Sequence, residues 1–372
     1  MMNLSDRNIL IAAQYAPPYG GNFIPSLRNL VAKLQAAYNV CVHFVFPKAA
    51  EDKEWAKELA ADYNVIFTGS PSCLISASEA KKIVRSLNPC VIYTHFEGYD
   101  NAFLPYVGKE TAIVWHMHDT LYYQKHPLKK IYQFYAFWKH YGKPAITHKV
   151  GAIAVCEHEL RFIRPLLLRK RIPQLYLPNA ISPERIRPAK RKADDDVFTF
   201  LAFGGRNVQK RNDLIFKAGE ILAEKGLRFK VTITGGTDTD SLADSIYKGS
   251  LPAWLEITPP VKDINTLFDR SDCFISSSVH ETFSYAVAEA SIAGLPVIQS
   301  NIEGTAWNAG NPSVFEFESG NAESLAEAMT MIMTFDRDKL DILCRQTSER
   351  NRKVLSLDRW SDNIIDFFKR ID

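Results

Sequence analysis

Two glutamates, Glu281 and Glu289, stand eight positions apart in a stretch otherwise rich in Ser, Ala, Val and Ile. Eight residues is a little over two helical turns, so both carboxylates fall near one helix face. A carboxylate among apolar side chains is not buried without a partner. Paired carboxylates of this kind can accept hydrogen bonds from sugar hydroxyls; ordinary exposed glutamates are the alternative. Upstream, Phe200-Leu-Ala-Phe-Gly-Gly-Arg206 ends a strand-like run in two glycines, and Lys210 follows Arg206 as a helical pattern begins. Cations at a helix start oppose its dipole, so an anionic ligand such as a diphosphate explains them better than two solvated surface charges. Near the N-terminus, Tyr15-Ala-Pro-Pro-Tyr-Gly-Gly-Asn22 joins a strand pattern to a helix pattern. Gly20 and Gly21 let backbone N–H groups approach a phosphate there, or simply make a tight turn. The spacing is not that of a dinucleotide fingerprint.

These residues need elements to hold them. Short, continuous, β-branched runs at 8–14, 41–47, 64–68, 90–94, 111–116 and 151–155 predict buried parallel strands. A second series covers 198–203, 229–234, 254–258, 273–277 and 296–299. Amphipathic patterns at 26–37, 78–87, 157–168, 211–224, 322–333 and 337–349 alternate with them. Strand–helix alternation predicts right-handed crossovers and doubly wound sheets. A Pro- and charge-rich stretch interrupts the series, so the expected division is a domain at 1–185, a linker at 186–196 and a second domain at 197–355. The remaining residues, 356–372, carry apolar side chains at helical spacing. Two such domains place a ligand cleft at the carboxyl ends of their strands. Asp238-Thr-Asp240 follows two glycines at a strand end, which suits a capped helix start better than a metal site.

Composition excludes several classes. With 45 Lys+Arg against 42 Asp+Glu, the formal charge of +3 is too small for a dedicated nucleic-acid binder. Six Cys without a CxxC pair read as buried free thiols in a reducing compartment. No apolar run reaches the roughly 20 residues needed to span a bilayer. A cytoplasmic protein is expected, with peripheral contact at the inner face of the cell membrane. The segment 120–156 suggests that contact: it has no Asp or Glu, six Lys and eight aromatic residues. Lys129, Lys130, Phe134, Trp138 and Lys139 would face anionic lipid or a lipid-linked acceptor. A core helix with a solvated basic edge is the alternative.

Taken in order along the chain, these motifs resemble the retaining glycosyltransferases of the GT-B fold, especially glycosyltransferase family 4 (glycosyl transferases group 1). The two glutamates with the small-residue helix and Ala293-Gly-Leu-Pro-Val297 resemble the family's hallmark. Gly205-Arg206 with Lys210, Pro178-Asn179-Ala180, His118-Asp119 and the Tyr15–Gly21 opening match its other segments. The resemblance implies two Rossmann-like domains facing across a cleft, with the last helix crossing back to the N-terminal, acceptor-binding domain. It implies transfer of a sugar, with retention, from a nucleotide-sugar donor to a glycan or lipid-linked acceptor in polysaccharide or glycoconjugate synthesis. UDP is the expected nucleotide, and neither a metal nor another cofactor is expected. Nucleic acid is not an expected partner. By position, His118 would contact the transferred sugar and stabilise charge, and Glu281 would hold its hydroxyls. Gly21, Arg206, Lys210, Phe283 and Ser284 would meet the donor diphosphate. Glu289 would hold the ribose, and Val261 and Lys262 the base. Glu281-Thr-Phe-Ser departs from the commoner Glu-Gly-Phe-Gly and narrows the room for the sugar. A catalytically degenerate partner or chaperone of another transferase is the alternative function.

Overall fold

Continuous β-branched runs form strands because a pleated surface covered on both faces accommodates them without rotamer strain. A computed structural model of the protein describes residues 2–70, 73–118, 127–167, 172–190, 197–205 and 207–371. The described chain forms two units, one of residues 1–180 with 357–372, the other of residues 181–356.

The first unit holds a seven-stranded sheet of β1 (Asn8–Ala13), β2 (Cys41–Pro47), β3 (Asn64–Thr68), β4 (Val91–His95), β5 (Ala112–Met117), β6 (Lys149–Ala154) and β7 (Gln174–Tyr176). Its order is β3-β2-β1-β4-β5-β6-β7, and every pairing is parallel. Alternate residues serve opposite faces: Ile9 and Ile11 pack with the helix Phe23–Tyr38, while Leu10 and Ala12 pack with Trp115 and Tyr141. The C-terminal helix Leu357–Arg370 joins the first of these faces through Trp360, Ile364, Phe367 and Phe368. Its polar side is tied to the helix Phe23–Tyr38, where Lys33 Nζ lies 2.8 Å from Asp362 and 3.2 Å from Asp358.

The second unit holds β8 (Phe198–Phe203), β9 (Phe229–Thr234), β10 (Leu255–Thr258), β11 (Cys273–Ser276), β12 (Val297–Ser300) and β13 (Val314–Phe317). Their order is β10-β9-β8-β11-β12-β13, again all parallel. One apolar cluster under this sheet joins Phe200, Val231 and Ile275 to the helices Asn212–Glu224 and Ala322–Met333.

Several expectations change. Residues 186–190, assigned to a linker, pack within the second unit: Ile186 is fully buried, and Arg187 forms an ion pair with Asp269. Local charge density misleads there because the charges find partners. The helix Thr237–Tyr247 carries Asp238 and Asp240 in its first turn, but Gly236 at its cap offers no side-chain acceptor. All six cysteines are free, and Cys41 and Cys73 are exposed rather than buried; Cys41 is the first residue of β2. The edge strands β7 and β13 were not expected, because neither has a long apolar run. No helix among the described residues is long and apolar enough to cross a membrane.

Phe368 is fully buried, with its ring 5.2 Å from that of Tyr93 on β4. Phe368→Ala should therefore cost about 3–5 kcal/mol in the first unit's unfolding, read by urea denaturation. A loss below about 1 kcal/mol would show that the C-terminal helix is not part of that core.

Candidate functional site

In each sheet the chain runs outward from a central strand and then returns to lay the next strand on that strand's other side. The reversal falls between β1 and β4 in the first unit and between β8 and β11 in the second. Loops diverge at such points, and ligands bind outside the strands' carboxyl ends. The candidate residues gather at both places.

In the second unit, β8 ends in Gly204-Gly205 and β11 runs into the segment 277–284. A cavity of 460 Å³ opens there, lined by Arg185, Lys210, Glu281, Phe283, Ser284 and Glu289 among others. Lys210 Nζ lies 2.6 Å from Glu281 Oε1, which also accepts from Ser278 Oγ at 2.9 Å. Gln209 Nε2 reaches the other oxygen at 3.4 Å. The Glu281 side chain is only 10% exposed, so these donors offset the cost of burying its charge. Gly304 presses on the same residue from below: a Cβ there would sit 2.0 Å from the Glu281 carbonyl oxygen. Glu289 lies on the helix Tyr285–Ala293, nearly fully buried, with Arg185 Nε 2.5 Å from its Oε1. Sequence reasoning required a partner for Glu289 but did not find Arg185, which is 104 positions away. Ser284 caps that helix, its Oγ accepting from Val287 N at 3.4 Å, so the helix N-terminus lies at the cavity.

Of the other expected ligands, Val261 lines the cavity and is 37% exposed, while Lys262 is exposed and not part of its wall. Arg206 lies outside the described residues. The described wall thus carries two cations, Arg185 and Lys210, each engaged by one of two carboxylates.

In the first unit, Gly21 sits at φ +55° before the helix Phe23–Tyr38, a left-handed conformation that favours glycine. Tyr15 Oη donates to the carbonyls of Tyr19 and Gly20 at 3.1 and 3.2 Å, which shapes this turn. His118 follows β5; its Nε2 lies 2.9 Å from Nδ1 of His95, the last residue of β4. His116 stacks on His118 with centroids 4.4 Å apart, and Phe96 stacks on it at 4.5 Å. Burial pushes the His118 pKa down to about 3. Burial and the neighbouring rings hold His95 and His116 well below the ordinary value as well. All three are neutral imidazoles at pH 7. His95 and His116 were missed because each reads as an ordinary strand position; aligning the ends of β4 and β5 would have paired them, since they are register partners. Asp119 lies outside the described residues.

The expected lipid face lies on the helix Pro127–Phe137 and the wider turn Trp138–Gly142. Lys129, Lys130 and Lys139 are exposed, as are Phe134 (58%) and Trp138 (39%). Tyr141 and Gly142 turn inward and anchor this segment to the core.

Residues 184–354 match the family model described as "Glycosyl transferases group 1". A curated relative, the GDP-mannose:cellobiosyl-diphosphopolyprenol alpha-mannosyltransferase of Komagataeibacter xylinus, is 28% identical over 169 residues. That match spans 42% of this chain and 42% of the relative. A glycosyltransferase structure from Rickettsia africae superposes with a TM-score of 0.75 at 17% identity, covering 98% of both chains. Anabaena HepE in complex with UDP gives a TM-score of 0.75 at 15% identity, covering 97% of this chain and 99% of that one.

The three histidines make stability depend on pH. A histidine whose folded pKa is depressed binds fewer protons folded than unfolded, so stability is complete above about pH 6.5 and falls as pH drops. For His118 the fall continues to about pH 3. Each such ring contributes a slope of about 1.4 kcal/mol per pH unit. Between pH 7 and pH 5, His118→Gln should flatten the stability profile by about that slope, and the His118 Cε1–H resonance should not titrate. A His118 titration centred near the ordinary imidazole value would refute the neutral ring.

Proposed function

We propose, for a chain with the GT-B fold whose residues 184–354 match the glycosyl transferases group 1 model, that it transfers a sugar, with retention, from a nucleotide-sugar donor to a glycan or lipid-linked saccharide acceptor. The observation that carries this is the cavity at the β8/β11 reversal, where both glutamates, both partner cations and a capped helix N-terminus line one wall. Glu289, paired with Arg185, is read as the ribose contact, and the main chain near Val261 and Lys262 as the base contact. N–H groups of Phe283 and Ser284, together with Lys210 and Arg206, meet the diphosphate. Glu281 aims Lys210 and accepts from sugar hydroxyls. In the first unit, taken by itself, the Gly21 turn is read as a phosphate contact and His118 as a sugar contact, whose neutral ring offers a hydrogen bond without adding charge.

In the reaction the bond from the anomeric carbon to the diphosphate oxygen breaks. The acceptor oxygen bonds to the same carbon on the same face, and its proton passes to the leaving diphosphate. Charge builds up mainly on that leaving group, so preorganised cations and backbone donors do most of the catalytic work. Lys210 is already engaged by Glu281, so Arg206 supplies the further positive charge. With these groups in place no metal is needed. The donor is read as a UDP-sugar, the nucleotide named for the Anabaena structure; the K. xylinus relative, named for GDP-mannose, favours GDP as the second reading. A catalytically silent partner would have no use for the Lys210–Glu281–Ser278 network.

Titration calorimetry with UDP, GDP and ADP, with and without EDTA, tests the site. One nucleotide should bind saturably, with EDTA making no difference, and Lys210→Met should weaken it about 10- to 100-fold. Glu281→Gln should keep nucleotide binding and lose sugar transfer. Binding that requires a divalent ion would overturn the metal-free site, and full turnover by Glu281→Gln would remove that residue's role.

The face of Lys129, Lys130, Phe134, Trp138 and Lys139 docks on an anionic membrane surface in this proposal, which suits a lipid-linked acceptor. The protein should sediment with vesicles containing anionic lipid and remain free of purely zwitterionic ones. Reversing Lys129, Lys130 and Lys139 to Glu should cut that binding by about 100-fold or more, at roughly 1 kcal/mol per basic residue. Equal sedimentation of the variant would rule this surface out.

A further inference from the structure

Strands β4 and β5 end side by side, so the parallel register pairs His95 with His116 and sets His118 two residues beyond. The rings of His95, His116 and His118 lie within 22–33° of parallel, with centroids 4.4–5.2 Å apart. One nitrogen of each comes within 4.8 Å of the others. Imidazole lone pairs lie in the ring plane, and near-parallel rings do not aim them at a common point. The stack is therefore a poor tetrahedral metal cage. It does form a hydrogen-bonded pair, His95 Nδ1 to His118 Nε2, at 2.9 Å.

We infer that His95 fixes the tautomer of His118: His95 Nδ1–H donates to His118 Nε2, so His118 presents Nδ1–H to its ligand. Each neutral ring carries one proton, and only one proton can occupy the line between the two nitrogens. If His118 donated instead, His95 would have to carry its proton on Nε2. That atom is buried and, among the described residues, has no hydrogen-bond partner. A buried N–H without an acceptor is rarer and costlier than a bare lone pair, so the proton belongs on His95 Nδ1. His118 is only partly buried, unlike His95 and His116, so its remaining edge is the one open to a ligand. Phe96 braces the arrangement. Its backbone is held at φ +59°, ψ 109°, an outlier for a bulky residue, and its ring stacks on His118 at 4.5 Å. The site therefore selects a ligand that brings an acceptor atom to His118, such as a hydroxyl or ring oxygen of the transferred sugar. His95 is a positioning residue in this scheme. Its effect on turnover rests on the proposed sugar contact of His118; its effect on the tautomer does not.

Long-range ¹H–¹⁵N spectra of protein labelled at histidine nitrogens report which nitrogen of His118 is protonated. The expected result for the unmodified protein is Nδ1–H on His118 and on His95. His95→Asn, whose amide nitrogen can stand where Nδ1 was, should keep that state. His95→Phe, which keeps the ring stack and removes the donor, should shift His118 to the Nε2–H form. In sugar transfer, His95→Phe should lose about 10-fold in kcat with little change in donor KM, and His95→Asn should recover most of it. Nε2–H on His118 in the unmodified protein would overturn the proposal outright, and needs no variant to fold. So would an unchanged tautomer in His95→Phe. A shifted tautomer with unchanged kcat would uphold the role of His95 and refute the sugar contact of His118.

Discussion

Parallel strand pairing is the constraint on which the remaining structure depends. Each ladder runs in one direction, so every strand of a unit delivers its carboxyl end to the same edge. Residues far apart in sequence become neighbours there without any long-range side-chain contact to bring them together. His95 and His116 meet because β4 and β5 are in register, and Lys210 meets Glu281 because β8 and β11 are adjacent. The central strands β1, β4, β5 and β11 are buried along almost their whole length, which is why they are rich in Ile, Val and Phe and why polar residues collect at their ends. The chemistry is thus a consequence of topology: the edge is where a buried sheet must stop and where backbone groups are free for a ligand.

At that edge the second unit handles charge by pairing it in advance. Glu281 and Glu289 are nearly buried, a position that disfavours an ionised carboxylate unless a cation or several donors face it. Lys210, Ser278 and Gln209 provide this for one, and Arg185 for the other. Losing either partner would leave a charge without compensation, which is more damaging than never having had the pair. The packing is equally exact around the Glu281 main chain, where Gly304 leaves no room for even a methyl group. Further along, Asn308, Asn311 and Asn351 bond one another and Ser291 inside the unit. This buried amide network ties the helix Tyr285–Ala293, which carries Glu289, to the helix Arg337–Val354.

How much of this was legible in the sequence follows from the range of each signal. Strands such as Phe198–Phe203 and Phe229–Thr234 are bounded as their patterns predict, because burial on two faces marks successive residues of the first and burial on one face marks alternate residues of the second. The edge strands Gln174–Tyr176 and Val314–Phe317 leave no such mark, since they are short and lack a continuous buried run. The stretch 186–190 read as a linker because its charges are visible and their partners, Asp269 above all, are not. Glu281, Glu289 and Lys210 stood out as charges beside apolar or small residues. Arg185 and His95 did not: an arginine in a basic segment and a histidine at a strand end look ordinary until the fold supplies what they touch.

The polar groups at the two sheet edges are accommodated by opposite means. In the second, each carboxylate is paired directly with a cation, and an anion brought there would have to compete for or add to those pairs. In the first, desolvation strips charge from three histidines, and hydrogen-bond direction replaces it. A neutral imidazole contributes less energy than an ion pair but discriminates donors from acceptors, which a point charge does not. Sugar hydroxyls can play either part, so only a fixed tautomer turns such a ring into a selective contact. Its rigidity comes from neighbours that are themselves constrained: His95 by the β4 ladder, His116 by a 2.5 Å bond to Tyr93, and Phe96 by a backbone held off its preferred conformation. The second unit pairs its charges, and the first replaces charge with hydrogen-bond direction.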